Sequence, residues 1–513
     1  MPAIRGIQKA PIGRVSETGK LDQLLASTTS VSLLLGTGGD RRIWPDPITR
    51  RNRYGTLATP ADDEISFAST TASNVSGEGF LAAGIELARL VNVESTSPLV
   101  VDQWFADVRH RIGLYLGCAN AEIILAASGT DAELLALCLF AGLSKRPLTN
   151  ILVAPDETGS GVPQAAAGRH YSDFTALGTA VEAGASLEGL SPDRIDVRVI
   201  AIRDETGAAR DQHQIDTDLI AAVEHELGRD RDVLVHVLDT SKTGLTGVTR
   251  QTARHVAALA PGRVHVIVDA CQFRCSISAL QQDLADGFIV AVTGSKFIAG
   301  PPFSGALLVP AALAAEFAAR ADLPAGLSDY TAAHDWPASL REQMTFVFRS
   351  EFNLGLGLRW AAALASLSRY AEIAESRQRT IKDHFVSLVR SRLEGAKEIF
   401  LHPDDDGDHL GARAIVPLTM TQASGAFASF EESQRIHLMM RELVEGPICH
   451  MGQAVRLGGR TVLRLAASAA DVVTVSARMT AGQSLYQASR PIESRLDGLF
   501  DKLSAVLRYR QTI

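Results

Sequence analysis

Two side chains with acid-base chemistry stand at the ends of apolar runs. Asp269 closes "VHVIVD", and Lys296, 27 residues further on, follows "FIVAVTGS". An unpaired lysine in apolar company is costly unless it is neutral, paired or covalently bound. An acid in such a place serves as a metal ligand, a ribose binder or a helix cap. A third group lies upstream, where "IILAASGTDAELLAL" reads as a strand, then Ser128-Gly129-Thr130, then a helix. Glycine lets the backbone approach a ligand, the free N–H groups and the helix dipole favour an anion, and the two hydroxyls add donors. Taken alone, a Ser or Thr that caps the helix explains the same pattern.

The elements that must position these groups alternate in type. "EIILAAS", "NILVAP", "DVRVIAI", "DVLVHVLD", "VHVIVDA", "FIVAVTG" and "GALLVP" read as short, continuously apolar strands. Helical patterns such as "GTDAELLALCLFAGLS", "DFTALGTAVEAG", "TDLIAAVEHELG" and "TRQTARHVAALA" separate most of them. Such alternation predicts an α/β fold with a mainly parallel sheet covered by helices on both faces. Ligands of these sheets sit at the carboxyl ends of the strands. The expected organisation is an N-terminal arm over 1–75, a large α/β domain over 76–330, and a smaller C-terminal α+β domain over 331–513. In the last, "ARAIVPLTM", "ICHMGQAVRLGG" and "TVLRLAAS" read as strands, 427–444 as a helix, and the final helix begins near Pro491.

An anion cup, an acid and a lysine on separate strand ends fit one ligand, pyridoxal 5'-phosphate. The amine forms a Schiff base with the aldehyde, the carboxylate keeps the pyridinium nitrogen protonated, and the cup holds the phosphate. From these motifs the chain resembles the fold-type I pyridoxal-phosphate enzymes, and within them the class V aminotransferase and cysteine desulfurase group, over about 110–365. "VDACQ" is similar to that group's "VDAAQ", which implies Asp269 as partner of the pyridine nitrogen and Gln272 as donor to the ring hydroxyl. "TGSKFIAGPPFSGALLV" resembles "SGHKxxGPxGxGxLY", which implies Lys296 as the Schiff-base lysine and Thr293 and Ser295 as phosphate ligands beside Ser128, Gly129 and Thr130. "RHYS" resembles a segment in which a histidine stacks on the cofactor ring, which implies that role for His170. The resemblance also implies a seven-stranded-type sheet and a homodimer with active sites near the interface.

Three further residues are candidates for substrate. Arg464 in "TVLRLAAS" stands where related enzymes place the arginine that clamps an α-carboxylate, a task suited to its bidentate fork. Lys242 in "DTSKTG" falls beside the cofactor segment of the family. Arg349 belongs to "FRSEFN", which replaces the family's "RSGTxN" and so departs from its inter-subunit phosphate contact. The arm "GTGGDRRIWPDPITRRNRYG" carries Arg41, Arg42, Arg50, Arg51 and Arg53, which either face solvent or fold over the site mouth and select an anionic substrate.

Composition excludes other classes. The 513 residues are 46% hydrophobic and 21% charged, with no uncharged apolar run of membrane length, so no membrane partner is expected. A formal charge of −8 argues against nucleic-acid binding. No apolar segment follows the basic start, so cytoplasmic placement is expected. Five cysteines, odd in number, read as reduced thiols. Cys271 and Cys275 lack a second Cys/His pair, and "HPDDDGDH" lacks a calcium-loop layout, so no metal is expected.

Residues 297–448 contain no cysteine, which removes the nucleophile of persulfide transfer. The expected activity is a pyridoxal-phosphate reaction on a small-molecule substrate, an amino acid or amine, with amino-group transfer first. A β- or γ-elimination lyase, an α-decarboxylase, and a non-catalytic cofactor-binding protein are the alternatives.

Overall fold

The structure is a computed structural model that describes residues 31–91, 98–396, 398–402, 413–422, 424–442 and 446–510. Residues 1–30 of the arm and 403–409 of the acidic loop lie outside them.

A short strand, β1 (Ile65–Phe67), precedes the large domain. That domain contributes β2 (Glu122–Ala126), β3 (Leu148–Val153), β4 (Ile195–Ile200), β5 (Asp232–Leu238), β6 (Val264–Ala270), β7 (Ile289–Thr293) and β8 (Gly305–Val309). These seven form one sheet in the order β2-β8-β7-β6-β5-β3-β4. Only β8 runs antiparallel to its neighbours β2 and β7. Every residue of β3, β5, β7 and β8 is buried, as a sheet covered on both faces requires. The carboxyl ends of β5, β6 and β7 carry the loops of Lys242, Asp269 and Lys296 to one edge.

A second sheet is built from β9 (Ile399–Leu401), β10 (Ile415–Met420), β11 (Cys449–Leu457) and β12 (Arg460–Ala466), with β1 at its edge in the order β1-β11-β12-β10-β9. β1 pairs parallel with β11, Ile65 opposite Cys449. The segment read as an arm therefore supplies a strand to the C-terminal sheet.

Two fully buried guanidiniums fasten the parts together through carbonyls rather than carboxylates. Arg359, on the helix Leu354–Ala371, donates to Phe303 O (2.6 Å), Gly38 O (2.8 Å) and Leu35 O (3.3 Å). Arg274 donates to Ala467 O (2.9 Å), Arg413 O (3.3 Å) and Ser69 Oγ (2.8 Å). Burial pushes both groups down to about 9, with Asp471 acting on Arg274 and Asp335 and Asp131 on Arg359 in the opposite sense, so each holds its charge near neutrality on oxygen dipoles and distant carboxylates.

Three expected elements differ. "DFTALGTAVEAG" is a chain of turns with an isolated bridge between Phe174 and Ala180, because Gly178 and Gly184 take φ of +82° and +88°, which interrupts any helix. The helix expected over 427–444 is Phe430–Met439. The last helix starts at Leu485, and Pro491 lies inside it, within its first two turns. Among the described residues no helix is long and apolar enough to cross a membrane.

Candidate active site

The cup is built by two loops. Ser128 takes extended backbone angles (φ −142°, ψ 173°) and its Oγ accepts from Asp131 N at 3.3 Å, which starts the 15-residue helix Gly129–Leu143. Asp131 is held from the other side by Tyr171 Oη at 2.6 Å, and burial pushes its carboxyl up to about 6. The second loop follows β7. Thr293 Oγ1 donates to Cys271 O at 2.7 Å, and a Cβ on Gly129 would come within 2.8 Å of Cys271 Sγ, so the two loops meet over that thiol. Behind them Gly294 lets the helix Leu354–Ala371 pass close, since a Cβ there would sit 2.7 Å from Ala363 Cβ.

Asp269 is the penultimate residue of β6, and its Oδ1 accepts from Cys271 N at 3.0 Å. Lys296 follows β7 in a tight turn whose carbonyl accepts from Ala299 N (3.0 Å) and from Ser73 Oγ (3.1 Å) of the N-terminal segment. Both side chains line one cavity of about 590 Å³, together with Ser128, Gly129, Thr130, Thr293 and Ser295.

Arg464 enters the cavity from β12. It is 1% exposed, yet among the described residues no carboxylate pairs with it. Nε donates to Thr70 Oγ1 at 3.3 Å and Nη2 to Thr71 Oγ1 at 3.1 Å, while Nη1 has no partner among the described residues. Burial pushes its guanidinium down to about 9, and Glu157 is the acid that offsets this. Lys242 lines the same cavity from the loop after β5. Burial, then the charges of Arg464 and Lys296, push its amine down to about 7 against the pull of Glu157 and Asp156. His437 is pushed to about 3 by burial with Arg441 and Arg464 beside it, so it is a neutral imidazole.

No family model matches the chain, and no curated protein matches it. Solved structures do. Catharanthus roseus tryptophan decarboxylase in complex with L-tryptophan superposes with a TM-score of 0.52 at 12% identity, covering 98% of this chain and 90% of that one. Escherichia coli cysteine desulfurase CsdA gives 0.51 at 11%, covering 87% and 96%. Oryza sativa TDC with PLP gives 0.50 at 13%, covering 96% and 90%. The chain has the fold of fold-type I pyridoxal-phosphate enzymes.

Within this fold-type I frame the structure sorts the residues singled out by sequence. Lys296, Asp269, Ser128, Gly129, Thr130, Thr293, Ser295, Lys242 and Arg464 share the cavity. Three do not. His170 is buried outside the cavity lining, its Nδ1 2.7 Å from Tyr330 Oη and its ring 17° from the tyrosine plane, so the stack it makes is on Tyr330. Gln272 turns its amide to Thr70 O at 3.0 Å instead of the cavity. Arg349 is half exposed, lies outside the cavity lining and is paired with Asp329 at 2.9 Å.

Residues missed by sequence reasoning come mostly from outside the large domain. Thr70 and Thr71 precede the lysine-holding Ser73, while Gln434 and His437 of the helix Phe430–Met439 and Arg441 of the turn after it line the cavity at helical spacing. That spacing was the signal available for them. Glu133, one turn into the cup helix, is 2.6 Å from His236 Nδ1, and burial pushes its carboxyl up. Of the arm's arginines, Arg42 and Arg53 reach the cavity, whereas Arg41 and Arg51 pair with Asp173 and Glu64.

Proposed function

We propose that this chain is a pyridoxal-phosphate enzyme that transfers the amino group of an amino acid while keeping its carboxylate. The single observation that carries the reading is the opening of Lys296, Asp269 and an Arg464 with an orphaned Nη1 into one cavity beside a hydroxyl cup.

The donor set fits the cofactor. Hydroxyls of Ser128, Thr130, Thr293 and Ser295, with the amino end of a long helix, suit a phosphate dianion. Asp269 supplies a carboxylate to keep a ring nitrogen protonated, and Lys296 supplies the amine for the aldehyde. The cofactor, when bound, supplies a ring that takes up the electron pair released at the substrate's Cα. Lys296 Nζ is the base placed to move the proton at that carbon. The orphaned Nη1 of Arg464 and its hydroxyl-held Nη2 present a fork to the α-carboxylate.

A clamp that keeps the carboxylate favours transfer or elimination over loss of CO2. Cys271, the one described cysteine on the cavity wall, is buried, and burial raises its thiol far above the usual range, which suits packing better than nucleophilic attack. We read the working form as a homodimer, in keeping with the exposed apolar Leu33, Leu81 and Ile85 on the N-terminal face. Sedimentation of the purified protein checks that reading.

Absorbance tests the assignment. Purified protein should carry a visible band that Lys296→Ala abolishes, and its absence from the unmutated protein would remove the cofactor. With a panel of amino acids, transfer gives one equivalent of keto acid per bound cofactor and turnover only when a keto-acid acceptor is added. Ammonia release without an acceptor would establish a lyase, and CO2 release a decarboxylase.

A further inference from the structure

The ladder between β11 and β12 is broken where it meets the cavity. Gly452 stands opposite Arg464 and Val455 opposite Val462, so β11 advances by three residues while β12 advances by two. One extra residue on one strand is a β-bulge, a device that re-aims backbone and side chains beside a site. Gln453 and Ala454, inside the bulge, both line the cavity. Out of register with the neighbouring strand, Gln453 N donates to Thr71 Oγ1 at 3.3 Å instead. Gly452 supplies the space for this arrangement, since a Cβ there would lie 2.6 Å from Thr70 Oγ1 and 2.8 Å from Arg464 Nε. Any larger residue would part the guanidinium from the threonines.

The hydrogen bonds at Thr71 leave one donor over. A hydroxyl accepts through two lone pairs and donates one proton. Thr71 Oγ1 accepts from Arg464 Nη2 at 3.1 Å and from Gln453 N at 3.3 Å, which occupies both lone pairs. Its proton has no acceptor among the described residues, and Thr71 stands on the cavity wall. Nη1 of Arg464 is another donor there without an acceptor among them. Nη1 and Nη2 share one carbon, so the Thr71 proton and the Nη1 protons are within reach of a single carboxylate. The hydroxyl cup stands on other elements, at the start of the helix Gly129–Leu143 and in the loop after β7.

We propose that Thr71 is a second binder of the substrate's α-carboxylate, accepting from Arg464 to hold its fork and donating its own proton to the carboxylate. The inference rests on the reading of Arg464 above and deepens it. A guanidinium alone attracts any anion, whereas a guanidinium with a fixed hydroxyl beside it prescribes where each carboxylate oxygen sits. The two residues therefore select α-amino acids over amines that lack the carboxylate. They come from the N-terminal segment and from β12, and the bulge in β11 is what aligns them.

The test uses the full-length protein as purified, with bound cofactor followed by its absorbance. The probes are L-alanine, L-phenylalanine and L-glutamate, each paired with the amine that lacks its α-carboxylate: ethylamine, 2-phenylethylamine and 4-aminobutyrate. Spectral titration gives a dissociation constant for each. At least one amino acid should bind about 10²-fold more tightly than its amine. Thr71→Val should keep the cofactor band, leave amine binding within about twofold and weaken the amino acid about tenfold. Thr71→Ser should restore binding to within about threefold, because it returns the hydroxyl. In an Arg464→Leu background, where no fork is left to hold, Thr71→Val should still weaken the amino acid about threefold. An unchanged preference in Thr71→Val, or equal weakening of amino acid and amine, would overturn the proposal. No further loss in the Arg464→Leu background would also overturn it, since Thr71 would then act only through the guanidinium. Thr71→Ala repeats the comparison with a smaller side chain, and loss of the band in both Val and Ala variants would place Thr71 in the frame or on the cofactor's phosphate and overturn the proposal as well. A protein with no band before any substitution would instead defeat the cofactor reading, and an unmutated protein indifferent to the carboxylate would defeat the reading of Arg464, which keeps the failures apart.

Discussion

Arg464 Nη2 lies 3.1 Å from Thr71 Oγ1, and the same guanidinium leaves Nη1 without any partner among the described residues. A group 1% exposed is thus oriented by neutral hydroxyls, with Glu157 the acid that acts on it without an ion pair. An unpaired buried charge lowers the stability of the empty protein, while a fork already held in place binds an anion at little further ordering cost. Replacing Arg464 with Leu should leave the unfolding temperature of the cofactor-free protein unchanged or raised. The same change should weaken amino-acid binding by about 10²-fold or more. Arg464→Lys, which keeps the charge and loses the fork, should recover only part of that binding. Calorimetric scanning and spectral titration of the two variants check both halves.

His170 provides the opposite expectation. Its Nδ1 is 2.7 Å from Tyr330 Oη, and burial, only partly offset by Asp329, keeps the imidazole below its ordinary value and hence neutral. His170→Phe retains a ring against Tyr330 and loses one hydrogen bond, so stability should fall by about 1 kcal/mol. The cofactor band and kcat/KM should change by no more than a few-fold. Urea unfolding and steady-state rates measure this, and a lost band would put the ring back on the cofactor.

What could be read from the sequence divides along local and distant causes. Asp269 and Lys296 end strands whose apolar runs are continuous, so their place at the sheet edge follows from a few neighbouring residues. The cup is likewise contained in one strand-turn-helix. The place of His170 was not legible because "HYS" specifies no path. Gly168, Gly178 and Gly184, all at positive φ, steer that loop, and Tyr330 receives the ring from 160 residues away. β1 was missed for a similar reason, since three residues gain strand geometry only by pairing with β11, almost 400 residues later. Lys242 was singled out only by the likeness of "DTSKTG" to a family segment, not by any periodicity of its own. Its meaning comes from Arg464 and Lys296, which reach it from two other elements.

The closeness of β8 to the cup makes a steric prediction. Gly305 pairs with Ala126, and a Cβ there would be 2.8 Å from both C and O of Ser128. Those are backbone atoms and cannot rotate aside, so Gly305→Ala must displace either β8 or the residue that starts the cup helix. The expected cost is about 1–3 kcal/mol of stability, with weaker cofactor retention after dialysis. Gly77→Ala, at an open helix start where a Cβ meets nothing within 4 Å, is the control and should show neither effect. Absorbance after dialysis and denaturant midpoints report the two outcomes.

Glu64 ties the N-terminal segment to the C-terminal sheet, with His450 Nε2 at 2.6 Å, Asn74 Nδ2 at 2.9 Å and Arg51 in an ion pair. Burial alone would raise its carboxyl, but hydrogen bonds from His450 and Arg51 prevail and hold it at about 2, below the ordinary 4.5. A carboxyl whose folded value is depressed contributes stability that is complete above its unfolded value and is lost as pH falls towards the folded one. Glu64→Gln should therefore be less stable than the unmutated protein by about 1–3 kcal/mol at neutral pH. The gap should hold down to about pH 5 and close progressively below it as the native carboxylate takes up its proton. Urea unfolding of both proteins across that range measures the gap, and a difference that stayed constant through acid would mean that Glu64 acts by shape rather than by charge.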